Sequence, residues 1–388
     1  MPRLLMVATV PDFLRAFLLP YARYFRARGW QVDAAARGAT RDVDCGQAFD
    51  RVWDIPWSRH PLAAANFLRA PRRIQEIMAR GSYDLVHVHT PVASFVTRWS
   101  LGHPQTPGAP KVIYTAHGLH FYRGAPALRN LIFRTLEEVA GRQTDYLVVL
   151  NAEDRQAALD SRLVAPGRLR HMPGIGVDTQ VYSPDAISDA RVAALRAELG
   201  LASGQAAFLM IAEFNPGKRH RDAIQALARL EGGDAVLLLA GTGRLVRPMS
   251  QLAERLGVSR RVRFLGYRRD IPALLRACIA SVLPSEREGL PRSIIESLAL
   301  AVPVIATDIR GVRDLVDSEN GLLVPVGDAD RLAHAMSWML RNPDRARAMG
   351  EQGRRRIAAY DLRLVLSRHE DLYTEALAGR DCGQASAA

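Results

Sequence analysis

Short apolar runs alternate with amphipathic stretches along most of this 388-residue chain. The runs recur about every 25 residues, and the stretches between them carry apolar residues at helical spacing, which is typical of parallel strands joined by crossover helices. In the first half the pattern predicts strands at residues 4–9, 32–36, 52–56, 84–89, 111–115 and 146–150, with helices at 17–28, 66–80, 93–100 and 128–142. The first half therefore reads as one doubly wound α/β domain.

The second half repeats the alternation after a Gly/Pro-rich passage that begins near Met172. Such a passage is typical of a crossing between domains. The predicted strands are 207–212, 236–240, 262–265, 279–283, 304–307 and 322–324, and the predicted helices are 188–199, 221–230, 245–256, 271–277, 292–301, 329–341 and 343–360. We expect domains at 1–180 and 181–360, a last helix at 361–378 that returns to the first domain, and a disordered tail at 379–388.

Composition agrees with a globular chain that has room for two cores, since 48% of residues are hydrophobic and 24% are charged. No apolar run reaches the ~18 residues of a membrane span. The apolar run at residues 4–10 fits a first strand better than a signal peptide. Three widely spaced cysteines, Cys45, Cys278 and Cys382, indicate neither a disulfide framework nor a zinc site, so we expect a reducing cytoplasm.

The formal net charge is +12, and +8 of it lies in the first 180 residues. This excess favours an anionic partner: a membrane surface, phosphates or nucleic acid. Nucleic acid is the weakest of the three, because no basic run with interleaved aromatic residues and no nucleic-acid motif is present. Only Lys111 and Lys218 are lysines, so a lysine in a functional loop indicates a need for a compact ammonium group, although chance placement is the plain alternative.

Residues 283–301 carry the strongest candidate chemistry. A buried strand ends at Leu283, and a helix is predicted to start at Pro291 with Leu290 at its cap, where a capping side chain would be expected. The amides that follow, on Arg292, Ser293 and Ile294, would then lack a side-chain partner, and a helix start of that kind binds anions.

Two glutamates flank this helix start. Glu288 lies in the loop and Glu296 lies one turn inside the helix, off its apolar stripe. Both could accept hydrogen bonds from sugar or ribose hydroxyls in one pocket. The alternative is that both are solvated surface charges.

His117 and Lys218 also follow predicted strands, where ligands of open α/β sheets bind. His117 could hydrogen-bond a substrate hydroxyl or a phosphate, and its alternative is an ordinary loop histidine. Lys218 could neutralise a diphosphate leaving group, and its alternative is a solvated surface lysine.

Three other motifs are weaker. Gly241 and Gly243 form half of a dinucleotide fingerprint, but Val246 replaces its last glycine, which disfavours a nicotinamide enzyme and leaves a phosphate-approaching or structural turn open. His87 with His89 imitates a metal pair, and the Asp42 and Asp44 pair imitates a metal-binding DxD. We predict that both are structural, because no third ligand stands at metal spacing.

With these residues in view, the chain resembles, almost end to end, the retaining glycosyltransferases often called family 4, which have the GT-B fold. The most specific part is the E-x7-E spacing from Glu288 to Glu296. The residues that add support are His117-Gly, Gly176-Val-Asp, Phe264-Leu-Gly-Tyr and Asn320-Gly-Leu-Leu-Val-Pro. The stretches 86–91 and 115–122 resemble the subgroup that builds polyprenyl-linked surface glycans in bacteria, often from UDP-N-acetylhexosamines.

The resemblance implies two Rossmann-like domains facing across a cleft, and a role for each matching residue. Glu288 and the amides after it, from Gly289 and Leu290 to Arg292 and Ser293, would hold the donor sugar. Glu296 would bind the ribose, Lys218 the diphosphate and His117 the sugar near its reacting carbon. Residues 267–271, from Tyr267 to Ile271, would meet the base. The family needs no metal or other cofactor, and the UDP-sugar is its donor substrate.

One departure from the family pattern concerns charge. The family has arginine five residues before the lysine, and here that place is Glu213. Diphosphate neutralisation then needs another group, such as Arg219, Arg244 or the helix start. The proline at 291, where many relatives have glycine, also removes one backbone donor.

The sequence thus predicts a metal-independent retaining transferase on the cytoplasmic face of a bacterial membrane. It would move a sugar from a UDP-sugar to a polyprenyl-diphosphate-linked or glycan acceptor, with Arg59, Arg98 and Arg123 as candidate acceptor contacts. One alternative is a non-hydrolysing UDP-sugar 2-epimerase of the same fold. Another is a non-catalytic module that binds an anionic membrane or nucleic acid.

Overall fold

The computed structural model describes residues 1–58, 63–101, 109–122, 124–230 and 234–385. The chain divides into two compact units, one made of Met1–Gly174 with Val365–Ala388 and the other of Ile175–Leu364. The sequence had placed this boundary a few residues later, after residue 180. The chain leaves the first unit after strand β7, at the Gly/Pro-rich passage.

The first unit is built on a parallel seven-stranded sheet, as far as the structure describes it, in the order β3-β2-β1-β4-β5-β6-β7. Its strands are short and mostly buried, as expected of a parallel sheet covered on both faces. They are β1 Arg3–Val7, β2 Gln31–Ala36, β3 Val52–Asp54, β4 Leu85–His89, β5 Lys111–Ala116, β6 Tyr146–Val149 and β7 Leu169–His171.

Helices connect these strands. The first connection is a short α1, a π-helical turn at Leu14–Leu18, and then α2. The helices are α1 Pro11–Phe13, α2 Leu19–Arg26, α3 Val43–Ala48, α4 Ala64–Gly81, α5 Pro91–Leu101, α6 Ala127–Gly141 and α7 Ala152–Asp160.

The second unit repeats the design with a parallel six-stranded sheet among its described residues, in the order β10-β9-β8-β11-β12-β13. Its strands are β8 Ala207–Ile211, β9 Val236–Ala240, β10 Val262–Gly266, β11 Ala280–Leu283, β12 Val304–Thr307 and β13 Gly321–Val324. Its helices are α8 Asp189–Glu198, α9 His220–Ala228, α10 Val246–Arg255, α11 Ile271–Arg276, α12 Arg292–Ala299, α13 Ala329–Arg341 and α14 Pro343–Ile357. The prediction of an α/β fold with doubly wound parallel sheets is confirmed.

The last helix, α15 (Leu362–Ala385), is held to the first unit by aromatic and histidine contacts. The Tyr373 ring stacks on Phe25 at 4.8 Å, and its hydroxyl lies 2.5 Å from His87 Nδ1 on β4. His87 Nε2 in turn lies 2.7 Å from Thr115 Oγ1 on β5. His87 is fully buried, so its hydrogen bonds join the helix to the middle of the sheet.

Two sequence expectations need correction. The strand β7 was missed because three residues are too short to show a period. The backbone of α15 continues to Ala385, past residue 379, where disorder was expected; Gly379 and Gly383 do not prevent this, since a helical glycine costs only about 1 kcal/mol. The prediction that the Asp42 and Asp44 pair is structural is confirmed for Asp42, which caps α3 by accepting a hydrogen bond from the Cys45 amide at 2.9 Å.

None of the helices in the part of the chain that the structure describes has both the length and the apolarity that a membrane span needs.

Helix α14 packs closely against α12 because two of its residues are glycines. A Cβ on residue 350 would lie 1.9 Å from the carbonyl oxygen of Ala301, just after α12. A Cβ on residue 353 would lie 2.5 Å from the Leu298 side chain of α12 itself. The position of α12 therefore depends on two residues of α14 that carry no side chain.

We expect Gly350→Ala to lower the free energy of unfolding of the second unit by roughly 1–3 kcal/mol, since a new methyl group would meet backbone that cannot move aside. The matched control is Gly46→Ala in α3, where a Cβ would have nothing within 4 Å. That change should be neutral or stabilising by about 0.5–1 kcal/mol, because alanine is the better helix former. Urea unfolding followed by circular dichroism measures both, and equal effects of the two changes would contradict the packing argument.

Acid should destabilise the first unit before its carboxylates are protonated. Burial lowers the pKa of His87 well below its ordinary value and that of His369 on α15 to about 4. The unfolded chain takes up these protons near pH 6.5 whereas the folded unit does not. These histidines therefore do not lower the free energy of unfolding above about pH 6.5. Below that pH, each of them lowers it by about 1.4 kcal/mol per pH unit.

Urea unfolding between pH 7.5 and pH 5 measures this slope. His369→Leu should make it shallower by about 1.4 kcal/mol per pH unit. The same slope in both proteins would show that His369 is not buried in its neutral form.

Candidate functional site

The second unit has a topological switch point between β8 and β11. From β8 the chain continues to β9 and β10 on one side of the sheet, and from β11 it continues to β12 and β13 on the other. Connections that diverge in this way leave a crevice outside the carboxyl ends of the two central strands, where open α/β sheets bind ligands. The loop with Lys218 follows β8, and the loop with Glu288 follows β11.

Hydrogen bonds and one close backbone approach hold these loops together. The amide of Glu286 donates to the carbonyl of Gly217 at 2.8 Å, and the Thr307 hydroxyl at the end of β12 donates to the carbonyl of Ser285 at 2.5 Å. Gly311, with φ +74°, lies so close to Gly289 that a Cβ would be 1.9 Å from the Gly289 carbonyl oxygen. The loops after three neighbouring strands therefore meet at one place.

Lys218 and Glu288 form an ion pair there, with Nζ 2.6 Å from Oε1. Asn215 sets the lysine in place, because its side chain accepts a hydrogen bond from the Lys218 amide at 3.2 Å and caps the short turn Pro216–Lys218. The Glu288 side chain is only 10% exposed. The alternative that Glu288 is a solvated surface charge is therefore wrong.

Helix α12 begins at Arg292, so Pro291 stands just before it and not at the first helical position where it was expected. Pro291 is its N-cap, with extended backbone at ψ 112°, and no side chain caps the helix. The Ile294 amide donates to the Pro291 carbonyl at 3.1 Å, a backbone partner that the sequence did not predict. The Ile294 amide is therefore not available to a ligand.

Glu296 is also buried, at 7% exposure, so the surface-charge alternative fails for it as well. Its Oε1 lies 2.8 Å from Arg292 Nε, and it accepts a hydrogen bond from the hydroxyl of Tyr182. Burial raises the pKa of Glu296, while the Arg292 charge and the Tyr182 hydrogen bond oppose the rise. Tyr182 was missed, because it precedes α12 by more than a hundred residues.

A second missed residue is Arg310, which follows β12 and is 7% exposed. Its Nε lies 3.5 Å from the carbonyl oxygen of Glu288. The structure thus places a cation beside the Glu288 loop, whereas Glu213, where the family has arginine, is exposed. Arg219, one suggested substitute, is paired with Asp222 at 2.6 Å. The sequence feature that could have indicated Arg310 is the Arg310-Gly311 pair, which stands shortly after a buried strand.

The other residues predicted to bind the donor lie at different distances from the Lys218–Glu288 pair. Leu290 packs against the apolar cluster beneath α12. Tyr267, which is 66% exposed, and Ile271 follow β10, two strands from β8 and therefore about 10 Å away from it. The structure brings Lys218, Glu288 and the start of α12 together, but it shows no contact between them and Tyr267.

Gly241 and Gly243 have a packing role. A Cβ on residue 241 would lie 2.0 Å from the Ala212 carbonyl oxygen, and one on residue 243 would lie 2.6 Å from that of Phe214. The amide of Phe214 also donates to the Thr242 carbonyl at 2.8 Å. These glycines let the turn after β9 support the loop that carries Lys218.

His117 lies in the first unit, at the end of β5. Its Nε2 is 3.1 Å from Nδ1 of the buried His89, and the Phe13 ring lies edge-on at 4.9 Å. Burial first, and then the neighbouring His369, lowers the pKa of His117 to about 3. His117 is therefore a neutral imidazole at physiological pH, able to exchange hydrogen bonds but unable to supply charge.

This unit has its own switch point, between β1 and β4, where Thr9 and Thr90 hydroxyl oxygens lie 2.7 Å apart. His89 ends β4, so the histidine pair stands beside that switch point. Within the described ranges, no group of three or more His, Cys, Asp or Glu side chains is placed to hold a metal ion.

The suggested acceptor contacts receive no support at Arg98. This residue is 1% exposed, pairs with Glu137 at 2.8 Å and lies over the Tyr114 ring at 4.1 Å, so it stabilises the core. Arg59 and Arg123 lie outside the described residues.

Comparison with known proteins identifies both halves of the chain. Residues 192–356 match the family model for glycosyl transferases group 1, and residues 6–151 match that for glycosyl transferase 4-like proteins. The chain is 34% identical over 376 residues, 96% of each protein, to EpsD of Bacillus subtilis (strain 168), whose name places it among the glycosyltransferases.

A second relative comes from Escherichia coli. It is 28% identical over 292 residues, 74% of each protein, and is named a UDP-Gal:α-D-GlcNAc-diphosphoundecaprenol α-1,3-galactosyltransferase. The fold is similar to that of HepE from Anabaena, solved in complex with UDP and glucose, with a TM-score of 0.81 at 19% identity, covering 97% of this chain and all of HepE. Sequence and fold agree: the chain belongs to the family 4 glycosyltransferases, which have the GT-B fold.

Proposed function

We propose that this glycosyltransferase moves a sugar, an N-acetylhexosamine, from a UDP-sugar to a lipid-linked or surface-glycan acceptor with retention of configuration and without a metal ion. The UDP-sugar is suggested by the HepE complex with UDP and glucose. The polyprenyl-diphosphate acceptor is suggested by the name of the E. coli relative. The N-acetylhexosamine, the retention and the metal independence follow from the resemblance noted in the sequence.

The observation that carries the proposal is the Lys218–Glu288 pair at the switch point of the second unit. A compact ammonium suits a diphosphate leaving group, and a carboxylate suits sugar hydroxyls. A bound diphosphate would compete with Glu288 for Lys218. Glu288 would then turn its acceptor oxygens to the sugar.

Arg310 and the start of α12 would supply the rest of the positive potential. Arg310 already lies against the Glu288 loop, and it would replace the arginine that the family has where this chain has Glu213. The start of α12, which no side chain caps, adds the positive end of the helix dipole. Charge that stabilises the departing diphosphate more than the bound donor lowers the barrier.

His117 would contact the sugar near its reacting carbon as a neutral hydrogen-bonding group, in keeping with its low pKa. The acceptor would then attack on the same face from which the diphosphate departs, within an ion pair, which keeps the configuration. The net charge of +12 and a lipid-linked acceptor together favour a peripheral enzyme on the inner face of the membrane.

Substituting each partner of the central pair should separate nucleotide binding from transfer. Lys218→Ala should weaken UDP binding by roughly tenfold or more and lower kcat/KM by ~10²-fold or more, because the diphosphate loses its point charge. Glu288→Gln should abolish most transfer but leave UDP binding unchanged or tighter, because the amide no longer competes for Lys218. Calorimetry with UDP and transfer assays measure the two effects.

The matched control is Lys111→Ala, which removes the other lysine from its pair with Asp145 in the first unit. It should leave UDP binding unchanged. Wild-type turnover in Lys218→Ala or Glu288→Gln would show that the roles are assigned wrongly.

Glu296 should bind the ribose of the nucleotide. Wild-type protein should bind UDP roughly tenfold more tightly than 2′-deoxy-UDP, because a hydroxyl hydrogen bond to a carboxylate is lost. Glu296→Gln should bind the two nucleotides nearly equally. Tyr182→Phe removes one of the two protein partners of the same carboxylate, leaves Arg292, and should keep the discrimination. If Glu296→Gln still discriminates, the ribose lies elsewhere.

One incubation separates the proposed reaction from its alternatives. Donor and enzyme without acceptor should yield no altered free sugar, whereas an epimerase would release one. Added polyprenyl-diphosphate acceptor should yield a glycolipid whose new linkage has the anomeric configuration of the donor, as measured by NMR. Absence of any nucleotide-sugar affinity would instead favour a binding module.

A further inference from the structure

Helix α6 presents an apolar stripe to solvent. Leu128, Leu131, Ile132 and Leu136 are spaced to lie on one helical face, and they are 69%, 52%, 49% and 38% exposed. A helix that covers a sheet normally turns such a stripe inward. In α6 the buried residues are Ala140 and Gly141, at its C-terminal end.

The neighbouring helices extend this surface. Helix α5 packs between α4 and α6, and its Trp99 is 60% exposed and stacks on Phe95 with ring centres 6.2 Å apart. The connections β3–β4, β4–β5 and β5–β6 all progress in one direction across the sheet, so right-handed crossovers put the three helices on one face. On α4, Phe67 and Leu68 are 54% and 66% exposed.

We call these side chains the α4–α6 apolar face: Phe67, Leu68, Trp99, Leu128, Leu131, Ile132 and Leu136. In the described part of the chain, fourteen large apolar side chains are exposed, and this face holds seven of them. Such a concentration on three adjacent helices marks an interaction surface, whereas scattered single residues would not.

The charges around this face are mainly positive. The three helices contain seven arginines and three glutamates. Arg129 and Arg134 are exposed on α6 beside the apolar stripe, and Arg69 and Arg72 are exposed on α4. Arg134 pairs with Glu138 at 3.3 Å, but both side chains are more than 40% exposed, so solvent weakens the pair. The face therefore combines apolar side chains with cations at its rim.

We propose that the α4–α6 apolar face docks on an anionic lipid bilayer, with the stripe of α6 in the headgroup region. Leucine, isoleucine and phenylalanine side chains gain from burial at that depth, tryptophan favours the interface, and arginines attract anionic headgroups. The inference deepens the proposed function and rests on it in one respect, the reason for docking. A lipid-linked acceptor would be met at the membrane by the unit that docks there.

Sedimentation with vesicles tests the docking without any assay of transfer. Wild-type protein should bind vesicles of phosphatidylcholine with one quarter phosphatidylglycerol, and less to phosphatidylcholine alone or in high salt. Leu131→Ser with Ile132→Ser should lower partitioning roughly tenfold or more. The matched control, Val43→Ser with Leu256→Ser, changes two exposed apolar residues elsewhere and should bind as wild type.

A second measurement needs no weakened variant. Brominated lipids quench only tryptophans that reach the bilayer, so they should quench wild-type fluorescence, and Trp99→Phe should remove that quenching. UDP binding should stay unchanged in every variant of the face. If the wild-type protein did not bind UDP, that result would count against the proposed function and would leave the docking result unaffected.

Two results would overturn the inference. One is equal vesicle binding by wild type and by Leu131→Ser with Ile132→Ser. The other is a wild-type dimer that the same pair of changes turns into a monomer, with no vesicle binding, which would assign the face to a second copy of this chain. Ultracentrifugation distinguishes that case.

Discussion

The ion pair between Lys218 and Glu288 is the contact on which the candidate donor site depends. It joins the loop after β8 to the loop after β11. These are the two central strands, and the chain continues from them to opposite sides of the sheet. A carboxylate that is only 10% exposed needs a partner, because an unpaired buried charge is costly. The Glu286–Gly217 hydrogen bond and the close approach of Gly311 to Gly289 fix the same loops through their backbones. The pair is thus formed between two segments whose backbones are fixed by other contacts.

The candidate site residues of the two units differ in how burial affects their charge. In the second unit charges are kept and paired: Glu288 with Lys218, and Glu296 with Arg292. In the first unit, burial holds His87, His89 and His117 neutral by lowering their pKa values. Paired charges can be handed to an ionic ligand, whereas neutral imidazoles can only exchange hydrogen bonds.

Positive charge also serves different purposes along the chain. Arg98 lies in the core against Glu137 and Tyr114, Arg310 supports the Glu288 loop, and Arg129 and Arg134 stand beside exposed leucines. Arginine fits all of these places, because its planar group can stack, pair and bridge. Net charge therefore indicated an anionic partner without indicating which arginines would meet it.

Periodicity determined the two parallel sheets and most of their helices, because buried strands and amphipathic helices leave local patterns. The E-x7-E spacing and the rare Lys218 likewise singled out, from the sequence, the two residues that form the ion pair, and their role in donor binding stays a prediction. Only the tertiary structure decided that Lys218 pairs with Glu288, that Arg310 lies beside Glu288, and that Tyr182 meets Glu296. It also decided that Arg98 is buried. Sequence patterns report which face of an element is apolar. Which loops meet depends on strand order, and that order arises from contacts between residues far apart in the chain.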